Sequence, residues 1–342
     1  MSIQYREKLP APDHLIDELP LSPKLKAIKV ERDAELAKIF NGESDKLALI
    51  VGPCSADNED AVVEYVNRLA KVNDEVKDKL MLIPRIYTNK PRTTGEGYKG
   101  IAHQADPQGV PNIAEGLKAM RKMHIRVFES TGLSVADEML YPGNYPYLED
   151  LLSYVAVGAR SVENQEHRLT ISGLDIPAGM KNPTSGDLRI MLNSVHAAQI
   201  PHDFIYKAHR VETSGNPLAH CILRGAVNKF GQNIPNYHYE DLLKCAELYA
   251  STKLKNPAII VDTNHANSNK VFKEQVRIAL ETLRSRQYSS DVKQIVKGFM
   301  IESYLEEGSQ KSDCGVYGRS ITDPCLGWED SEVLIKEIAA NI

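Results

Sequence analysis

Short apolar runs recur along the chain, most of them ending in a glycine, a proline or a polar residue. They begin near positions 47, 80, 125, 154, 176, 203, 258 and 296, and read LALIVG, LMLIPR, IRVFES, YVAVGAR, IPAGMK, DFIYKAH, AIIVD and VKGFMIES. Runs apolar at successive residues suit strands covered on both faces, as parallel strands are. Between them, apolar residues fall three and four apart, the period of an amphipathic helix. Over 57–79 that stripe is Val62, Val63, Val66, Leu69 and Val72. The same pattern predicts helices over 24–40, 113–123, 147–152, 163–169, 186–198, 238–252, 269–286 and 329–340. The first 24 residues, proline-rich and without a period, predict an arm lying on something else.

Eight β units, mostly separated by helices, predict an α/β fold: a (β/α)8 TIM barrel with an N-terminal extension, whose closure leaves no open sheet edge. On this reading residues 1–44 are an arm and helix for oligomerisation or regulation, and 45–342 are the catalytic barrel. An open doubly wound sheet is the competitor. Against it, no G-x-G-x-x-G follows the first strand, and charged or coordinating residues follow nearly every strand rather than one crossover. A barrel puts its active site at the carboxyl ends of its strands.

Composition narrows the partners. A net charge of -5 gives the whole chain no attraction for nucleic acid or an anionic membrane. No apolar run approaches the roughly 20 residues that span a bilayer. The amino terminus lacks the apolar core of a signal peptide. Five cysteines without close pairs do not resemble a disulfide framework, so a reduced, cytoplasmic protein is expected.

The chemistry sits where the runs end. In 80–94, LMLIPRIYTNKPRTT, an apolar strand is followed by Arg85, Lys90, Arg92 and the hydroxyls of Thr93 and Thr94, with Pro91 stiffening the loop. Cations just past a strand end suit a carboxylate or phosphate. Arg160 ends strand four, Lys181 strand five, Lys207 lies in strand six, and Arg224 follows in CILRGA. Four further residues form a second set: Cys54 in GPCS, His265 in VDTNHANS, Glu302 in FMIES and Asp323 in ITDPC. One thiolate, one imidazole and two carboxylates suit a divalent transition metal (Mn, Fe, Co or Zn), without choosing among them. A metal facing several cations points to a small polyanionic substrate and an activated carbonyl or water. Strand-end lysines also raise a Schiff-base mechanism, which needs neither the arginines nor the metal set.

Taken together, GPCS (52–55), KPRTT (90–94), GAR (158–160), GMKNPTSG (179–186), TSGN (213–216), LRGA (223–226), HANS (265–268), IES (301–303) and SITDPCLGWED (320–330) resemble class I 3-deoxy-D-arabino-heptulosonate 7-phosphate synthases. The resemblance spans most of 45–342 and implies a (β/α)8 barrel condensing phosphoenolpyruvate with erythrose 4-phosphate and water, the first step of the shikimate pathway. It implies one divalent metal per subunit, held by Cys54, His265, Glu302 and Asp323. Arg160 and Arg224 match the residues for the phosphoenolpyruvate phosphate, and Arg85 and Lys181 those for its carboxylate region. Arg92 and Thr93 match the erythrose 4-phosphate phosphate pair. Lys90 falls near the reacting centre, and Lys90, Cys54, His265 and Glu138 (in SVADEM) are the catalytic candidates. A homodimer or homotetramer and an aromatic amino acid inhibitor are also implied.

Two regions depart from the feedback-sensitive pattern of that family. Tyr145–Pro146 stands where Pro-Gln precedes an aromatic residue, and Asp175 replaces a serine. The connection 204–214 is also shorter. These changes bear on the inhibitor rather than on catalysis. A 3-deoxy-D-manno-octulosonate 8-phosphate synthase, using arabinose 5-phosphate, is the nearest enzymatic alternative, and the KPRT loop favours the four-carbon acceptor. A non-catalytic metabolite sensor and a nucleic-acid binder are disfavoured by the complete site set and the net charge.

Overall fold

The structure is a computed structural model that describes residues 2–92 and 94–342. Its eight barrel strands, numbered here β1 to β8, are Leu47–Gly52, Leu80–Pro84, Val135–Glu138, Leu152–Val157, Ala178–Lys181, Ala219–Leu223, Ile259–Asp262 and Val296–Glu302. All pair in parallel, in the order β2-β1-β8-β7-β6-β5-β4-β3. Closure comes between β2 and β3, where Arg85 bridges Ala136 and the Ile86 N–H donates to the Ala136 carbonyl at 2.9 Å. The expected barrel is therefore the observed one.

Alternation along each strand builds two separate cores. Leu47, Leu49 and Val51 of β1 face the surrounding helices, whereas Ala48 and Ile50 join Met81, Ile83, Ala136, Tyr154, Ile222, Ile260 and Met300 inside the barrel. The helix Pro23–Asn41 supplies the floor of that interior. Its Leu36, Ile39 and Phe40 belong to the inner cluster, and Phe40 stacks on His220 with ring centroids 4.2 Å apart. Both ends of this helix are specified locally: the Ser22 hydroxyl accepts from the Leu25 N–H, Pro23 opens the first turn, and Gly42 closes it with φ 78°. In the amino-terminal 24 residues a short helix, Pro12–Glu18, buries Leu15.

Two strand expectations are corrected. The run IRVFES is the end of the helix Ile113–Thr131. Val127 and Phe128 continue the buried stripe of Met120, Met123 and His124, with no turn former between. The true β3 was hidden because VADE ends in two carboxylates. The run DFIYKAH is an antiparallel hairpin outside the barrel, Asp203–Tyr206 with His209–Glu212, whose turn residues Lys207 and Ala208 have φ 46° and 58°. Barrel strand six is instead AHCIL. Lys207 consequently leaves the barrel mouth and pairs with Glu149 at 2.9 Å, which removes one support for a Schiff base. Among the described residues no helix is long and apolar enough to cross a membrane.

Candidate active site at the carboxyl ends of the strands

The ends of β1, β7 and β8 and the loop after β8 bring a donor cluster together. Ligand atoms of Cys54, Glu302 and Asp323 lie within 4.8 Å of one another. His265 stands just outside that triangle, with Nε2 3.8 Å from Glu302 Oε1. Its Nδ1 bonds the Asp262 carboxylate at 2.9 Å, which leaves the Nε2 lone pair free toward the cluster. His265 holds a left-handed backbone (φ 55°), a conformation uncommon for a side-chain-bearing residue and concentrated at functional sites. A thiol, two carboxylates and an imidazole fixed from behind by an acid fit a divalent transition metal.

Cations balance this cluster. Lys90 Nζ lies 2.7 Å from Cys54 Sγ and 3.0 Å from Asp323 Oδ2. Burial alone would lower the Lys90 pKa, but Cys54, Asp323 and Glu302 outweigh it and hold the ammonium charged. Burial raises the Cys54 thiol, with Glu302 adding to the rise and Lys90 opposing it. Arg85 is buried, stacks 3.8 Å over the Tyr87 ring and pairs with Glu302 at 2.9 Å. Burial disfavours its charge, yet Glu302 leads the anions that secure it.

The second cationic group lies across β4 to β6. Lys181 is buried at the end of β5, 3.1 Å from Asp262. Arg224 follows β6, its backbone N–H donating to Asn182 Oδ1 at 2.9 Å. One of its terminal nitrogens is buried without a partner among the described residues. Burial lowers the Arg224 pKa; Asp262 opposes that shift and the charge of Arg160 adds to it. Two arginines close enough to repel, one with an orphaned nitrogen, have the chemistry that suits an oxyanion. Arg160 itself is exposed after β4. Arg92 is half-buried, its Nε donating to the Tyr98 carbonyl at 2.8 Å. Thr93 lies outside the described residues. Glu138 ends β3 against Gly158, where an added Cβ would meet its Oε1 at 2.3 Å and push that carboxylate aside.

Sequence reasoning missed the groups that hold this constellation in place. Asp262 receives both His265 and Lys181, and its pKa is pulled down although burial opposes ionisation: His265 is the largest of the lowering causes, Lys181 the next. Asn264 donates to Glu302 Oε2 at 2.6 Å. The motif VDTNHANS contained both residues, but as an apolar strand end and a turn former they carried no independent signal.

The fold and this mouth define a class: a (β/α)8-barrel enzyme with a metal-capable donor cluster among buried and half-buried cations. The chain belongs to the DAHP synthetase I family, which it matches over residues 24–336. It is 36% identical over 345 residues to the Phe-sensitive phospho-2-dehydro-3-deoxyheptonate aldolase of Escherichia coli K12, covering 98% of this chain and 95% of that protein. It is 36% identical over 349 residues to the Tyr-sensitive enzyme of the same organism, covering 99% and 95%. The solved structure of the phospho-2-dehydro-3-deoxyheptonate aldolase from Francisella tularensis SCHU S4 is 30% identical, with a TM-score of 0.92 over 100% of this chain and 98% of that one. The family expected from the motifs is thus the one found.

Proposed function

We propose that this chain condenses phosphoenolpyruvate with erythrose 4-phosphate and water, giving 3-deoxy-D-arabino-heptulosonate 7-phosphate and phosphate, in a metal-dependent reaction. The observation that carries this reading is one barrel mouth holding the donor cluster of Cys54, Glu302 and Asp323 beside Lys90, with Arg224 near Arg160 and within reach of the charges of Glu302 and Asp323. Cys54, His265, Glu302 and Asp323 would hold a divalent ion, which would supply Lewis acidity toward the acceptor aldehyde.

The chain's own residues do the rest. Arg160 and Arg224 bind the phosphate of phosphoenolpyruvate, while Arg85 and Lys181 neutralise its carboxylate region. Arg92 and Thr93 hold the phosphate of the acceptor and fix its aldehyde near Lys90. C3 of phosphoenolpyruvate bonds to the aldehyde carbon, and the aldehyde oxygen takes a proton from the Lys90 ammonium. Water bonds to C2, its proton passing to Glu138 at the end of β3. The C2–O bond to phosphate then breaks while the C2 hydroxyl gives its remaining proton to the departing phosphate, leaving the ketone and releasing inorganic phosphate.

Regulation has its own cleft. About 660 Å3 lies between the floor helix, the 142–147 turn and the 203–212 hairpin, lined by Lys29, Asp33, Tyr145, Asp175, Phe204 and Tyr206. Aromatic rings flanked by both charge signs suit an aromatic amino acid zwitterion as an inhibitor. The arm 1–44 forms one wall of it through Lys29 and Asp33 and is assigned a role in assembly.

The deciding experiment supplies metal-stripped protein with phosphoenolpyruvate and either erythrose 4-phosphate or arabinose 5-phosphate. Individual metals are then restored while phosphate release is followed. Restored turnover with the four-carbon acceptor is expected; turnover only with the five-carbon sugar, or none with any metal, overturns the reading.

A further inference from the structure

Asp137 has the geometry of a holdfast. It sits one residue before the end of β3, buried, with both carboxylate oxygens turned across the seam to the segment after β2. The Thr88 N–H donates to Oδ1 at 3.0 Å and the Thr88 hydroxyl to Oδ2. Thr88 opens the loop that carries Lys90 and Arg92. Its carbonyl accepts from the Ala102 N–H at 3.1 Å, where the loop returns, and Gly100 (φ 101°) packs so closely that a Cβ there would stand 2.2 Å from that oxygen. Lys90 in turn donates its N–H to the Lys99 carbonyl at 2.9 Å. Both feet of the loop are therefore tied at Thr88, and Thr88 is tied to Asp137.

The geometry points to Asp137 as a positioning residue that sets the affinity for the acceptor substrate by fixing the loop bearing Lys90 and Arg92. This assignment rests on the proposed reaction for its kinetic consequence, but not for its structural one.

The ionisation of the tie follows from what surrounds it. From its own strand Glu138 faces Asp137 with like charge, although the Glu138 N–H donates to Oδ1 at 2.7 Å. From the helix Ile113–Thr131, His124 places Nε2 3.8 Å from Oδ2. The His124 Nδ1–H donates to the Met120 carbonyl, so Nε2 carries a lone pair and no cation. Burial lowers His124 to about 4, and nearby Arg121 is committed to Asp150 at 2.6 Å. Tyr141 and Tyr145 close the small cavity beside Asp137. Burial without a counter-cation pushes the Asp137 carboxyl up to about 7, against the lowering effect of the Thr88 bonds. The carboxylate accepts every bond described; the acid form gives up one acceptor position. The Thr88 bonds lower the carboxyl value that burial raises, so with Asp137 still buried under the seam the ionised form favours the tied loop, which is held tightest above pH 7 and loosens below it.

Asp137→Asn keeps one acceptor and the shape, and Thr88→Val removes the hydroxyl donor while keeping the volume. Each is expected to raise KM for erythrose 4-phosphate about tenfold, the worth of one hydrogen bond to a charged group, with KM for phosphoenolpyruvate unchanged. In the wild type, KM for the acceptor should climb as pH falls below 7, and in Asp137→Asn that climb should vanish. Hydrogen–deuterium exchange should quicken over 88–102 in both variants and stay unaltered over 113–131. Equal rises in both KM values, an unchanged pH profile, or exchange over 88–102 like that of the wild type would overturn the assignment. Where the wild type turns over neither reactant pair, the proposed reaction fails and the exchange arm alone decides the positioning role.

Discussion

Glu302 is the most heavily committed side chain of the mouth: it meets Arg85, Asn264 and His265 while buried at the end of β8. Its charge survives burial because Arg85, the largest of the lowering causes, and His265 outweigh desolvation. Cys54 contributes the soft donor of the cluster. Cys54→Ser is expected to weaken metal binding by at least about tenfold, read by competition with a chromogenic chelator; affinity equal to the wild type would remove the thiol from the donor set. Gly158 tests the opposite wall. In Gly158→Ala the new Cβ displaces the Glu138 carboxylate, and kcat should drop by about tenfold or more, as a misplaced group costs, while metal affinity stays constant. Legibility at this scale depended on the expected fold. Cys54, His265, Glu302 and Asp323 have no local spacing in common and form a set only because the expected barrel brings thiol, imidazole and two carboxylates to one mouth, whereas Asp262 and Asn264 act only through neighbours that the fold supplies.

At the scale of elements, the pattern was readable where strands are purely apolar and failed where they carry function. VADE holds the Asp137 and Glu138 carboxylates, and AHCIL begins beside a buried histidine, so neither shows the uniform run that marked β1, β2 and β8. His220 pays for its place in the floor by staying neutral. Burial lowers it to about 3, and its two nitrogens meet the Tyr154 hydroxyl and the Leu218 carbonyl, each at 2.8 Å. Below the ordinary histidine value of about 6.5 the unfolded chain takes up a proton that the folded one refuses, so acid costs stability. Relative to His220→Gln, the wild type should lose about 1.4 kcal/mol per pH unit as pH falls from 6.5 toward 4. Urea midpoints at pH 7, 6 and 5 measure this; parallel midpoints would mean that the histidine is charged in the fold.

For the whole molecule, composition and rhythm sufficed to identify a barrel, because parallel strands covered on both sides leave few alternatives. What they did not reveal was the floor: the helix Pro23–Asn41 was expected, but its apolar positions carried no sign that Leu36, Ile39 and Phe40 close the barrel interior while Leu25 joins the outer core. The arm before it contributes Leu15 and Leu21 to the outer core. Deleting residues 1–24 is therefore expected to lower thermal stability and, on the assembly role proposed above, to reduce the sedimentation coefficient below that of the full chain. Full-length sedimentation behaviour together with unchanged amino-acid inhibition would dismiss that role.

Most neighbouring strands share three to five paired positions, but among the described residues β2 and β3 have one backbone bridge, Arg85–Ala136, backed by the side-chain ties of Asp137 to Thr88. A cylinder gives way first along its thinnest weld, and this one runs directly beneath the reacting groups. Gradual warming should then silence turnover several degrees before far-ultraviolet ellipticity changes, and rapid chilling from that interval should bring turnover back.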